Sequence, residues 1–243
     1  MLKELARSNQ KLKALDEAKD EFISMASHQL RTPLTSIKGY ISMILEGDAG
    51  DVPEQQKDML KTAFTSAQRM VYLIADLLNV SRLQTGKFVI EPVDSYLPDI
   101  VTEELAQLKE AATAKQISLI YDKPTDFPRI KLDETKIRQV IMNFADNALY
   151  YTPAGGSVSI ELNEKQRSVE FLVVDNGIGV PKAEQHKLFA KFYRAENARK
   201  ARPDGTGLGL FMAQKVIIAS GGSIIFRSQE NKGSTFGFTF PKK

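Results

Sequence analysis

Apolar residues recur at alternating spacings of four and three along two stretches in the first third of the chain. This spacing keeps side chains on one side of an α-helix, so it predicts two helices that pack against other helices. Residues 47–53, GDAGDVP, separate them, because glycine and proline interrupt helices. The apolar stripes consist of Leu30, Leu34, Ile37, Ile41 and Ile44 in the first helix, and of Leu60, Phe64, Ala67, Val71, Ile74, Leu78 and Ser81 in the second.

A hairpin of two long helices cannot bury both stripes by itself. Pairing with a second copy would bury them in a four-helix bundle, so the pattern predicts a homodimer. Residues 1–22 carry pairs of apolar residues one heptad apart, which predicts the end of a coiled coil that carries a signal from an upstream part of a longer protein. We expect a signalling helix at 1–22, a helical dimerisation domain at 23–86 and a mixed domain at 87–243.

From residue 88 onwards, short strand-like runs alternate with helical ones. The predicted helices cover residues 96–115, 134–151 and 208–220, and the predicted strands cover 117–121, 129–132, 157–163, 168–174, 223–228 and 234–240. Residues 188–203, which we call the lid, are basic and loop-like, with Phe189 and Phe192 as expected anchors. The fold class is therefore predicted to be α+β, with a helical hairpin followed by an α/β sandwich.

Composition narrows the function. The chain has no cysteine, which excludes disulfides, thiolate catalysis and cysteine zinc sites. The net charge of +3 is too small to indicate a nucleic-acid partner. No apolar run reaches the roughly 18 to 20 residues that span a bilayer, and no signal peptide is recognisable. We therefore expect no nucleic-acid partner and no membrane contact by this fragment.

His28 lies in the stretch SHQLRTPLT, two residues from the stripe positions Ala26 and Leu30. This offset predicts that its side chain faces water. Pro33 lacks a backbone N–H and crowds the carbonyl of Gln29, so a bend is expected within about one turn. A lone surface histidine is usually unremarkable, but an exposed imidazole beside a weakened turn is also a reachable nucleophile.

Polar residues in the second half indicate a nucleotide site. Asn143 and Asn147 lie one turn apart on a predicted helix, where such amides either hydrogen-bond to neighbours or bind a hard cation such as Mg²⁺. Asp175 directly follows the apolar run VEFLVV at the end of a predicted strand, and its carboxylate offers an acceptor for an amino group such as that of adenine. Gly177 and Gly179 follow it and allow the backbone to approach a ligand closely.

A second glycine-rich stretch, DGTGLGL, precedes the last predicted helix and contains Gly205, Gly207 and Gly209. Free N–H groups at a helix N-terminus bind phosphate, so this stretch predicts an anion site. A dinucleotide-binding fold requires GxGxxG directly after a strand, whereas here GxGxG follows a charged loop, and the Walker pattern is absent.

Taken in order, SHQLRTPLT, NFADNALYYTP, DNGIGV, LFAKFYR and DGTGLGL resemble the H, N, G1, F and G2 boxes of bacterial sensor histidine kinases. The resemblance covers essentially the whole chain and implies a dimeric phosphoacceptor bundle followed by an ATP-binding sandwich of the Bergerat type. It also implies ATP and Mg²⁺ as cofactors, a response-regulator receiver domain as partner, and a cytoplasmic location that allows a membrane anchor in a longer parent.

The resemblance further implies individual roles. His28 would be the phosphoacceptor, Asn147 together with Asn143 would hold Mg²⁺, and Asp175 would accept the adenine amino group. The other residues implied at the nucleotide site are Tyr150, Tyr151, Gly177, Gly179, Lys191, Arg194, Gly205, Thr206, Gly207, Leu208, Gly209 and Thr235.

Three positions depart from the family pattern. Gln29 stands where the family usually has a carboxylate, which removes a base and predicts slow autophosphorylation. Thr32 occupies the position that orients water for dephosphorylation of the partner, so phosphatase activity is compatible with the sequence. Tyr150 replaces a frequent lysine, which leaves Lys191 and Arg194 to compensate. Two alternatives stay open: an ATP-sensing pseudokinase that acts as phosphatase or scaffold, and a clamp ATPase without phosphohistidine.

Overall fold

The computed structural model describes residues 18, 25–27, 29–84, 88–203 and 205–242 of the chain. The chain divides into two compact units, Met1–Val89 and Ile90–Lys243. His28 and the predicted coiled coil at residues 1–22, apart from the helical Ala18, lie outside the described residues. The predictions made for them therefore stay predictions.

The first unit contains two helices, α1 (residues 29–46) and α2 (Glu54–Gln84), and residues 25–27 are helical as well. The predicted break between the helices is confirmed. Gly47 and Gly50 have φ angles of 92° and 98°, which glycine adopts without the steric penalty that a Cβ would add. None of the helices in the described part of the chain combines the length and apolarity that a bilayer crossing requires.

The two helices of the hairpin are antiparallel and share a small apolar core. Lys38 donates a hydrogen bond to Gln68 at 2.7 Å, and its ammonium lies 5.7 Å from the centroid of the Phe64 ring. Much of the α1 stripe nevertheless stays uncovered, since Leu30 and Ile37 are 53% and 49% exposed. The residues that form the shared core are Leu34, Val71, Ile74 and Leu78.

The second unit contains seven strands and five α-helices in its described part. In chain order these are β1 (Val93–Ser95), α3 (Leu97–Ala106), α4 (Lys109–Ala114), β2 (Ser118–Tyr121), β3 (Ile130–Leu132), α5 (Glu134–Tyr151), β4 (Ser157–Glu164), β5 (Ser168–Asp175), α6 (Glu196–Ala201), α7 (Gly209–Ala219), β6 (Ser223–Gln229) and β7 (Gly233–Pro241), with a short 3₁₀ helix at Gln185–Lys187.

Five strands form one mixed sheet in the order β2-β4-β5-β7-β6, and β1 pairs with β3 in a separate two-stranded sheet. Only the β2–β4 pairing is parallel among the pairings of the larger sheet in the described residues. Helices α3, α5 and α7 pack in one layer, and α5 and α7 also contact strands of the sheet. The predicted helix-covered mixed sheet is therefore confirmed.

Alternation along β5 determines which of its residues face the helices. Every second residue from Val169 to Asp175 is buried, because successive side chains of a strand point to opposite faces. The aromatic rings of Phe171 and Phe238 stack at 5.0 Å between adjacent strands, and both residues are fully buried. Asp175 is thus the last residue of an otherwise apolar buried row.

Three details differ from the sequence-based expectations. The helix expected at 96–115 is two helices, because the chain turns at Gln107 and Leu108 with i→i−3 hydrogen bonds. The loop-like lid contains α6. Phe189 packs edge-on against Phe226 at 5.8 Å and is an anchor, but Phe192 is not, since it is 59% exposed with a φ of 64°.

Candidate functional site

Asp175 is the centre of a polar site at the end of β5. The residue is only 8% exposed. Its Oδ1 accepts hydrogen bonds from the backbone N–H of Gly177 at 2.9 Å and of Ser234 at 3.2 Å. Oδ2 accepts no hydrogen bond from the residues that the structure describes. One oxygen of the carboxylate is therefore oriented by the fold, and the other is available to a ligand.

The environment of Asp175 changes its acidity. Burial raises the pKa of this carboxyl above its ordinary value, because removal from water disfavours the charged form. The hydrogen bonds from Gly177 and Ser234 lower the pKa, but by less than burial raises it. The carboxylate therefore takes up a proton at a higher pH than an exposed aspartate does.

Gly177 and Gly179 allow close backbone packing around Asp175. A Cβ at Gly177 would lie 2.5 Å from the carbonyl oxygen of Tyr151, which ends α5. Gly179 has a φ of 61°, and a Cβ there would lie 2.0 Å from the carbonyl oxygen of Gln229. These contacts hold the loop after β5 between the end of α5 and the β6–β7 turn, so larger residues at either glycine would displace it.

Asn143 and Asn147 face the same side of α5 and contact each other. The Nδ2 of Asn147 donates to the Oδ1 of Asn143 at 3.2 Å. A Cβ on Gly209, the first residue of α7, would lie 2.0 Å from the Nδ2 of Asn143. The amide pair is therefore adjacent to the N-terminus of α7. The Oδ1 of Asn147 accepts no hydrogen bond from the described part of the chain and is free to bind a cation.

The N-terminus of α7 combines a buried anchor with unpaired N–H groups. Leu208 is 3% exposed, and its N–H donates to the Oγ1 of Thr206 at 3.4 Å. The first N–H groups of an α-helix have no intrahelical partner, which makes this end suitable for an anion. Gly207 has a φ of 68° and packs against the backbone of Phe192, so the glycine-rich stretch also fastens the lid.

Tyr150 lies against cations from two other segments. The ammonium of Lys115 and the guanidinium of Arg202 are each 4.4 Å from the centroid of its ring. Its hydroxyl donates to the carbonyl oxygen of Ala201 at 3.3 Å, and Arg202 pairs with Asp146 at 3.1 Å. We call Lys115, Asp146, Tyr150 and Arg202 the Tyr150 cluster. The sequence pointed to Tyr150 but gave no sign of Lys115 or Arg202, because these contacts are non-local.

Arg194, which the sequence suggested as a replacement cation, is bound to the backbone of the lid region. Its guanidinium donates to four backbone carbonyls of the lid region, and a Cβ on Gly205 would lie 2.7 Å from its Cζ. Four of its five N–H donors are thereby used, so Arg194 holds the fold of the lid. Lys191 lies 5.3 Å from the ring centroid of Phe192. The four acceptors of Arg194 are the carbonyls of Ala198, Arg202, Pro203 and Gly205.

The register of β7 does not support the place at the nucleotide site that the resemblance implies for Thr235. Ser234 pairs with Asp175 across β5 and β7, whereas Thr235 pairs with Val174. Paired residues point to the same face of a sheet, so Thr235 faces away from Asp175. Ser234 is 7% exposed and donates its N–H to Asp175, and it is the residue that sequence reasoning missed. A serine and a threonine in succession gave no basis for choosing the phase.

Two candidate residues of the helical unit lie in the described part of the chain. Gln29 and Thr32 are exposed on α1. The hydroxyl of Ser36 donates to the carbonyl oxygen of Thr32 at 3.3 Å. Helical geometry continues through Pro33, and the bend expected there stays a prediction.

Two family models match the chain. The model described as the His Kinase A (phospho-acceptor) domain matches residues 18–86. The model described as the histidine kinase-, DNA gyrase B-, and HSP90-like ATPase matches residues 132–243. The two matches follow each other in the order that the sequence motifs indicate.

One related protein and two solved structures are also similar to the chain. The chain is 34% identical over 235 residues to the sensor histidine kinase WalK of Bacillus subtilis, covering 94% of this chain and 38% of that protein. It is similar in fold to full-length ShkA in complex with AMPPNP, with a TM-score of 0.70 at 24% identity over 90% of this chain and 45% of that one. It is also similar to the histidine kinase ThkA in complex with the response regulator TrrA, with a TM-score of 0.61 at 24% identity over 100% of this chain and 66% of that one.

Proposed function

Because the chain belongs to the sensor histidine kinases and corresponds to their catalytic core, we propose that it transfers the terminal phosphoryl group of ATP to His28. From there the group passes to an aspartate in the receiver domain of a response regulator. The observation that carries the ATP assignment is the buried Asp175 with one carboxylate oxygen available beside a tightly packed glycine loop.

Adenine recognition follows from the geometry of Asp175. The exocyclic amino group of adenine is a hydrogen-bond donor, and Oδ2 of Asp175 is an acceptor without a partner among the described residues. The two backbone hydrogen bonds to Oδ1 fix the orientation of the carboxylate before a ligand arrives. Such preorganisation reduces the entropy lost on binding. Burial strengthens the same hydrogen bond, because water competes less for a buried acceptor.

The residues on α5 fit a magnesium ion that is bound together with nucleotide phosphates. Mg²⁺ prefers oxygen ligands and usually takes only one or two from protein, with phosphates and water supplying the others. Asn147 would provide its Oδ1, and Asn143 would orient it through the hydrogen bond between the two amides. When bound, the ion neutralises phosphate charge. The N–H groups at the start of α7 would bind the phosphate oxygens.

His28 would act as the nucleophile: one imidazole nitrogen would form the bond to the γ-phosphorus, ADP would leave, and the proton on the other ring nitrogen would pass to an acceptor. Its neighbour Gln29 can hydrogen-bond but cannot accept a proton in the way a carboxylate does. We therefore propose that phosphorylation of His28 is slow. Dephosphorylation of the regulator with water oriented by Thr32 is a second activity of the same surface.

The exposed apolar residues of the hairpin support a homodimer. Ile37 and Leu30 are about half exposed in one chain, and a second copy would cover them in a four-helix bundle. The complex of ThkA with TrrA supports a receiver domain as the other partner, because the present chain is similar to ThkA over its whole length.

A pseudokinase that binds ATP without phosphorylating itself is the second candidate. Two substitutions favour it, namely Gln29 for the usual carboxylate and Tyr150 for the frequent lysine. It shares the nucleotide site with the first candidate and differs only in the covalent step.

Incubation with radiolabelled ATP and Mg²⁺ separates these candidates. A kinase acquires an acid-labile, alkali-stable label that disappears in His28→Ala. The chain offers a matched control, His186→Ala, because His186 is its only other histidine and is exposed. The kinase proposal requires that this variant keep its label. ATP binding without any label would leave the pseudokinase, and phosphate release without label would indicate a clamp ATPase.

A further inference from the structure

Tyr150 makes contacts that a nucleotide ligand does not need. The Lys115 ammonium and the Arg202 guanidinium each lie 4.4 Å from the centroid of its ring. Its hydroxyl donates to the lid at Ala201. The hydroxyl and the ring of Tyr150 both contact other parts of the protein. A side chain that binds phosphate would instead direct its polar group to the ligand.

In the sequence, one of the two cations precedes α5 and the other follows it. Lys115 follows α4 and also donates to the carbonyl oxygens of Leu149 and Tyr150, at 3.3 and 3.5 Å, in the last turn of α5. Arg202 directly follows α6, the helix of the lid. The tyrosine ring thus connects the lid to the body of the α/β unit.

Arg202 contacts the face of α5 that also carries Asn143 and Asn147. Residues three and four apart are neighbours on a helix surface, so Asp146 and Tyr150 border the same side of α5 as the two asparagines. Arg202 contacts both Asp146, at 3.1 Å, and the ring of Tyr150, and its side chain is 22% exposed. A partly buried guanidinium is therefore held at the edge of the amide pair.

We infer that Tyr150 is a positioning residue that fastens the C-terminal end of the lid to α5 and holds Arg202 beside the proposed phosphate site. A lysine at this position would bring a third positive charge close to Lys115 and Arg202 and would repel both of them. The aromatic ring attracts both instead. The part of the inference that concerns phosphate binding rests on the proposed function. The attachment of the lid to α5 rests only on the contacts of Tyr150.

The attachment can be measured without any nucleotide. Trypsin cleaves after Lys200, which lies in α6 directly before the attached residues. We expect Tyr150→Leu to increase the cleavage rate in the lid about tenfold, because the lid must open locally before the bond is cut. Tyr40→Leu is the matched control, since Tyr40 is 68% exposed on α1 and should leave lid cleavage unchanged.

Binding measurements then distinguish positioning from a general loss of structure. Calorimetric titration of Tyr150→Leu should show about tenfold weaker binding of a non-hydrolysable ATP analogue, with adenosine binding unchanged, because only the phosphates would contact Arg202. Tyr150→Phe keeps the ring and should recover most of the affinity. Arg202→Gln should reproduce the effect of Tyr150→Leu, and the double variant should add little, because both changes break one contact.

Three results would overturn the inference: unchanged lid cleavage in Tyr150→Leu, an equal loss of affinity for the ATP analogue and adenosine, or additive effects in the double variant. If the unsubstituted protein bound neither ligand, the proposed function would fail. The cleavage rates would then still decide whether Tyr150 fastens the lid.

Discussion

The helical hairpin and the α/β unit differ in how much of their apolar pattern one chain buries. In the α/β unit the alternating residues of β5 and β7 are buried against helices, and Phe171 and Phe238 are fully inaccessible. In the hairpin Leu34 is buried, but Leu30 and Ile37 on the same stripe are about half exposed. An apolar pattern therefore predicts a buried face in both units, but it does not say which chain supplies the cover.

The largest expected effect tests whether a single chain buries the core of the α/β unit. Phe171→Ala removes a fully buried ring that stacks on Phe238 at 5.0 Å. We expect it to lower the free energy of unfolding by about 4 kcal/mol, from lost burial and the cavity left behind. Urea denaturation followed by far-UV circular dichroism measures this, since the chain has no tryptophan.

Phe192→Ala is the matched control for this experiment, because Phe192 is 59% exposed. We expect a change within about 0.5 kcal/mol at such a surface position. A large loss at Phe192 together with a small loss at Phe171 would mean that the core lies elsewhere.

The next expected effect concerns the carboxylate that the hairpin lacks at position 29. Gln29→Glu supplies a carboxylate beside His28, and we expect autophosphorylation to accelerate by about 100-fold through general-base assistance. Label incorporation per minute at saturating ATP measures the rate. The affinity for an ATP analogue should stay the same, since the nucleotide site is assigned to the other unit.

Gln56→Glu is the matched control, because it makes the same change from amide to carboxylate at a different position. Gln56 is exposed in the first turn of α2. Its label incorporation should equal that of the unsubstituted chain. Equal rates in both variants and in the unsubstituted chain would show that the amide at position 29 is not what limits the reaction.

The third effect tests whether a second copy covers the hairpin. Ile37→Glu places a charge on the exposed part of the stripe, and a two-fold axis would bring two such charges into one interface. We expect dimerisation to weaken by at least about 30-fold, or about 2 kcal/mol, from desolvation of the charges. Sedimentation equilibrium measures the dissociation constant directly.

Ile218→Glu makes the same change at a residue of α7 that is 56% exposed in the α/β unit. It should leave the dissociation constant unchanged. If Ile218→Glu separated the copies while Ile37→Glu did not, the dimer contact would belong to the α/β unit.

Within the α/β unit, the sequence determined some details and not others. Helix α5 was predicted with its observed bounds, Glu134–Tyr151, because its N-cap Asp133 and its periodic apolar residues are local signals. The phase of β7 was not, since Ser234 and Thr235 are both compatible with either face. Contacts of the lid were missed for a related reason: Arg202 meets Tyr150 across 52 positions, and no periodicity in a loop indicates its partner.

The smallest effect concerns the start of α5. Asp133 is 5% exposed and accepts hydrogen bonds from the backbone N–H groups of Lys136, at 3.2 Å, and Glu91, at 3.1 Å. Loss of an N-cap side chain costs typically about 1 kcal/mol, so Asp133→Ala should destabilise the α/β unit by roughly that amount. Urea denaturation at pH 7 measures the difference.

The pH dependence of that difference identifies the carboxylate as its source. Burial raises the pKa of Asp133. Hydrogen bonds from the Lys136 side chain and from the backbone N–H groups of Glu91 and Lys136 together lower this pKa by more than burial raises it, so the net shift is downward. A group with a lowered folded-state pKa stabilises the fold above its unfolded pKa of about 3.9 and loses this contribution as the pH falls through the folded value. The two proteins should therefore differ most near neutral pH and converge in acid. A difference that grew on acidification would mean that the protonated side chain, and not the carboxylate, caps α5.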